Sequence, residues 1–79
     1  MSLTLLVNGQ SRVFTSLPES PSLADLVQEL GLESDRVAVE HNGGIAAKSV
    51  WPTTRLTEGD RLEIVHFVGG GIDNLFSIL

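Results

Sequence analysis

Apolar residues recur along this chain at different spacings, and each spacing predicts its own element. Residues 3–7, "LTLLV", form a short apolar run, and residues 11–16, "SRVFTS", alternate polar and apolar. Asn8-Gly9 stands between them, a pair that tolerates the positive φ of a tight hairpin turn, so the two runs are expected to form a β-hairpin. In "LPESPSLADLVQELGLESD" the period changes: Leu23, Leu26, Val27 and Leu30 fall on one helical face. Pro18 and Pro21 mark the approach, Ser22 and Asp25 have capping-box spacing, and Gly31 sits where a C′ glycine ends a helix. A stripe this short reads as core packing, not as a membrane or partner helix. "RVAVEHN" predicts a strand over 36–41, with a turn at Asn42-Gly43-Gly44. A short strand around Ile45 and an irregular crossing follow, because Pro52 discourages regular structure. "TEGD" at 57–60 is a turn, and "RLEIVHFV" at 61–68 alternates best of all. Hairpin, helix and further strands make an α+β domain with the helix on one sheet face. The last strand is expected to lie centrally, parallel to the first, with its end pointing into solvent.

Composition narrows the class. At 79 residues there is room for one small domain, and 42% hydrophobic content allows a thin core. The absence of cysteine excludes disulfides, thiolate metal sites and a cysteine nucleophile within the chain, and fits a reducing compartment. Ten acidic residues against five basic ones give a formal charge of −5, with Arg12, Arg36, Lys48, Arg55 and Arg61 scattered singly. That balance suits a basic protein partner, not nucleic acid. No apolar run approaches the roughly 18 residues of a membrane span. The first ten residues lack the pattern of a signal peptide, so a cytoplasmic location is expected.

The candidate chemistry lies at the end of the last strand. Gly69, Gly70 and Gly71 offer backbone without Cβ, able to pass close to the walls of a narrow channel. Three extended residues reach about 10 Å from a globular body. The plain alternative is a flexible linker into an ordered tail. Phe67 and Val68, just before the glycines, are the positional choice for a partner interface; if the alternation holds, one of them faces inward. His66 is placed to steer the tail or touch a partner, against a plain packing role. His41, beside a turn, is expected to be solvated. Trp51 is a candidate interface anchor whose favoured reading is a cap on the core. The histidines and acids show no ligand spacing, so no metal is expected. Nothing resembles a phosphate loop or a catalytic constellation.

The opening "LLVNGQ", the segments "RVAVEHNGGIAAKSVW" and "LTEGDRLEIVHFVGGG", and the helix between them resemble the ThiS family. These are the sulfur-carrier proteins of thiamine biosynthesis, in the ubiquitin-like β-grasp group. The turn feeding "EIVHFVGGG" is the most specific part. The resemblance implies a β-grasp fold, a mixed sheet of four to five strands with one main helix packed on one face. It also implies a carrier, not an enzyme. In such proteins a ThiF-type adenylating enzyme uses ATP to activate the C-terminal glycine carboxylate. Sulfur from a donor such as a cysteine desulfurase then displaces AMP, leaving a thiocarboxylate. A ThiG-type thiazole synthase takes the sulfur into the thiazole ring. Carried onto this chain, the attachment point is Gly71, with Gly70 as the alternative, and no cofactor is bound by the chain itself.

The chain departs from that pattern by continuing with "IDNLFSIL". It divides into a carrier domain with its glycine tail, 1–71, and an extension, 72–79. The preferred expectation is that a processing protease removes the extension and exposes Gly71. A second is an ordered tail: Ile72, Leu75, Phe76 and Leu79 share a helical spacing, so a short helix would dock on the sheet or on a second copy. Such a helix is too short to stand alone. A docked tail would hold the precursor inactive until cut. A third is an extension without a role. Two rival functions remain beside the thiazole carrier: a β-grasp carrier for another sulfur pathway, and a non-catalytic β-grasp interaction module with a docking tail.

Overall fold

The computed structural model describes residues 2–67 and the backbone of 75–77. Strands β1 (Leu3–Val7) and β2 (Gln10–Phe14) form the hairpin, and helix α1 (Leu23–Glu29) follows. Then come β3 (Val37–His41), β4 (Gly44–Ala46), β5 (Arg61–Phe67) and β6 (Leu75–Ser77). The sheet runs β2-β1-β5-β3-β4, with β6 also paired to β5. β5 is central and parallel to β1, as its alternation and the element order led us to expect.

Both hairpins have two-residue turns. Val7 pairs with Gln10 around Asn8-Gly9, and His41 pairs with Gly44 around Asn42-Gly43. The φ angles are 48° and 81° at the first pair and 50° and 91° at the second, the left-handed values that an Asn-Gly pair accepts. β2 ends at Phe14, short of the expected Ser16, because Phe14 already pairs with Leu3, the first residue of β1. β3 starts at Val37, since Ser34–Arg36 form a 3-10 turn before it.

The helix is closed by its own sequence at both ends. Ser22 Oγ accepts from the Asp25 amide at 3.1 Å, and Asp25 Oδ2 accepts from the Ser22 amide at 2.8 Å. Such a cap stabilises the helix by about 1 kcal/mol. At the far end Gly31 (φ 72°) donates to Gln28 and Leu32 donates to Val27, the Schellman pattern. Leu23, Leu26 and Val27 press on Leu5 and Val7 of β1, Val39 of β3, and Leu62 and Ile64 of β5. These sheet residues share a face because side chains alternate along a strand.

The crossing from β4 to β5 is more regular than Pro52 suggested. Lys48–Thr53 form a 3-10 helix that contains Pro52. It delivers Trp51, only 3% exposed, into the core, and Trp51 Nε1 donates to the Ala46 carbonyl at 2.9 Å. Trp51 is therefore a core cap, the favoured of its two readings. Among the described residues, no helix is long and apolar enough to cross a membrane.

The end of β5 corrects an expectation. Instead of pointing freely into solvent, Val65, His66 and Phe67 pair antiparallel with Ser77, Phe76 and Leu75. The backbone at 75–77 is a strand, where helical spacing had suggested a docked helix. Backbone groups on an open strand edge need partners, and three residues of strand supply them where a one-turn helix would not.

Candidate functional site

The candidate site is the central strand and what holds it. Its starting end is built around Asp60. The Asp60 carboxylate accepts from the Thr57 amide at 2.9 Å, the Thr57 hydroxyl at 2.9 Å and Asn42 Nδ2 at 3.1 Å. His41 Nε2 lies 2.9 Å from Asp60 Oδ2. Burial pushes the Asp60 carboxyl upward, but the bonds from His41, Thr57 and Asn42 outweigh it and hold the group at about 2. Asp60 is thus ionised at neutral pH, and the facing His41 nitrogen carries a hydrogen. His41 was expected in solvent. Its side chain is only 20% exposed, because β3 places it over the carboxylate.

Asn42 links this cluster to β5. Its amide donates to the Arg61 carbonyl at 2.8 Å, and its Oδ1 accepts from the Arg61 amide at 2.8 Å. Asn8 does the corresponding work on the opposite edge. Its backbone amide donates to the Leu62 carbonyl at 2.8 Å. Its side chain then spans Ile64, with Nδ2 donating to the Ile64 carbonyl at 3.0 Å and Oδ1 accepting from the Ile64 amide at 2.6 Å. β1 itself pairs with β5 only at Arg61 and Leu62, so the Asn8 amide extends the β1 edge beyond the end of the strand.

Of the residues singled out beforehand, His66 and Phe67 are half-buried at the far end of β5. His66 faces Val37 on one side and Phe76 on the other. Val68, Gly69, Gly70 and Gly71 lie outside the described residues. Asn8, Asn42 and Asp60 were read only as turn residues, yet they clamp β5 in place. The signals were present in "NG", "NG" and "TEGD", but their partners are far away in sequence. Among the described residues no cluster of three metal-ligating side chains occurs.

The sheet face away from the helix is open. Glu40 and Glu63 stand directly opposite each other there and, with Gly43 and Arg61, line a recess of about 350 Å³. Ile45 and Val13, 79% and 62% exposed, lie on the strands that end the five-strand order. Like charges facing across a strand pair repel, which costs stability in the free molecule.

Comparison with known proteins places this architecture. The ThiS family model matches residues 5–71, from β1 through the glycine run. A thiazole synthase of Paramagnetospirillum magneticum is 42% identical over 71 residues, covering 90% of this chain and 21% of that protein. The chain thus spans about a fifth of the length of that curated relative. The sulfur carrier protein ThiS of Bacillus subtilis is 40% identical over 53 residues, covering 67% of this chain and 80% of that protein. The crystal structure of a thiamine biosynthesis protein (ThiS) from Geobacter metallireducens superposes with a TM-score of 0.71 at 30% identity, covering 87% of this chain and all of that one.

Proposed function

The chain belongs to the ThiS family, and from that premise we propose that it is a sulfur carrier of thiamine biosynthesis. The observation that carries this reading is the extent of the family match, which runs through β5 and ends at Gly71. The chain acts as a carrier and contributes no catalytic group. A partner adenylates the Gly71 carboxylate with ATP, pyrophosphate leaves, and a sulfur nucleophile then displaces AMP to give the thiocarboxylate.

The fold supports this division of labour. β5 is held along both edges by Asn8 and Asn42, so the strand that leads to the glycines starts from a fixed position. Ordering the glycines in a partner's channel costs conformational entropy. A rigid body that docks by its surface supplies the compensating contact. The open face, with Glu40 and Glu63 flanked by exposed Ile45 and Val13, suits a partner with apolar and basic groups. That partner is a ThiF-type adenylating enzyme, and the recipient of the sulfur is a thiazole synthase.

Residues 72–79 follow the glycines in this chain, so the reading requires cleavage behind Gly71. The test is ATP–pyrophosphate exchange by the adenylating enzyme. Chain ending at Gly71 should support exchange and the 79-residue chain should not. Exchange absent with both overturns the reading.

A further inference from the structure

The edges of β5 are occupied in an uneven way. β3 covers one edge from Leu62 to His66. On the other edge β1 reaches only Leu62, the Asn8 side chain takes Ile64, and β6 takes Val65 to Phe67. Leu62 and Ile64 direct backbone groups to this second edge, as their bonds to Asn8 show. Strand alternation sends the amide and carbonyl of His66 the same way, where Phe76 is the register partner. Among the described residues, β6 is thus the only element that covers the part of this edge nearest the glycines. It belongs to the extension, joined to β5 through residues 68–74.

We propose that the β5 edge at His66 is a strand-docking edge, covered by Leu75–Ser77 in the uncut chain and taken by an extended backbone segment of the adenylating partner once that cover is gone. The proposal rests on the carrier reading above. An open strand edge is a template for pairing with any chain, and a segment of the same chain covers it at high effective concentration. Cleavage behind Gly71 converts that intramolecular pairing into a bimolecular one between the body and the released segment, which dilution then separates. One cut therefore does two things: it creates the terminal carboxylate and uncovers the edge leading to it. A partner that adds a strand there grips the backbone immediately before the glycines, whatever the side chains are.

The test uses three proteins: the 79-residue chain, its Phe76→Pro variant, and chain ending at Gly71. The buried hydrophobic residues of the described chain run from Leu5 to Ile64, so the shortened chain keeps that core. Proline at 76 removes the amide that faces His66 and leaves the body untouched. If the cover is in place about nine-tenths of the time, apparent affinity is reduced about tenfold. The His66 amide should therefore exchange with solvent about tenfold more slowly in the 79-residue chain than in Phe76→Pro. The purified adenylating enzyme should bind Phe76→Pro and the shortened chain about tenfold more tightly than the 79-residue chain. Equal His66 exchange in the first two proteins overturns the cover. Equal binding of all three, with the shortened chain still adenylated at Gly71, overturns the docking edge and leaves the carrier reading standing. Failure of the shortened chain to be adenylated overturns the carrier reading and the proposed partner with it, while His66 exchange still decides whether the edge is covered.

Discussion

The turns at Asn8-Gly9 and Asn42-Gly43 share a dipeptide, a length and left-handed backbone angles. Each asparagine bonds the backbone of β5, one on either edge. Their surroundings differ. Asn42 also donates to Asp60, whose carboxylate gathers His41 and Thr57 as well. Asn8 meets β5 with its side-chain amide, at the position where β1 has already ended. One turn is thus fastened through a buried charge, and the other acts as a substitute strand residue. The same local geometry serves both because an Asn side chain carries an amide of the same kind as the backbone.

The comparison can be broken from the strand that both turns hold. Leu62 is fully buried and lies between them, so Leu62→Ala should destabilise the fold by about 3 kcal/mol in denaturant titration. Both turns should then lose amide protection together. The next largest effects separate the two. Asn8→Ala leaves the Ile64 amide and carbonyl without the Asn8 side chain, and Asp60→Ala leaves Thr57, Asn42 and His41 without their acceptor. Each should cost about 2 kcal/mol. Hydrogen exchange should rise at Ile64 in the first variant and at Thr57 in the second.

Acid sharpens the difference. Asp60 sits at about 2 in the folded chain against an ordinary value of 3.8. A carboxyl lowered by folding contributes stability that is full above its unfolded value and is lost as pH falls toward the folded one. Stability should therefore decline between about pH 4 and pH 2. Asp60→Asn should flatten that decline, while Asn8→Ala should keep it; an unchanged acid slope in Asp60→Asn would remove the charged fastening. The smallest effects should be alike. Gly9→Ala and Gly43→Ala both place a Cβ at a φ above +80°, with no contact nearer than 3.9 Å, so each should cost about 1 kcal/mol by thermal unfolding.

Much of the architecture was legible in short stretches. Asn-Gly, the Ser22–Asp25 box and Gly31 act on their immediate neighbours, so their meaning does not wait for the fold. The alternation in β5 named its buried face, and the family resemblance reached the glycines. The site was less legible. Asp60 and Asn42 looked like turn residues and His41 like a solvated one, because a hydrogen bond to a residue about twenty positions away leaves no periodic trace.

The extension shows the same division most clearly. Leu75 and Phe76 fit a helical stripe when only spacing is considered, and the sequence alone established an apolar segment too short for an isolated helix. The strand at Leu75–Ser77 depends on something the segment does not contain, namely that the pairing of β1 with β5 stops at Leu62 and leaves part of the β5 edge open. Local chemistry decided the turns, the helix caps and the face that each strand buries, since those energies act within a few residues. Tertiary structure decided which asparagine meets which strand and what covers the last edge, since backbone groups take the partners that the assembled sheet leaves within reach.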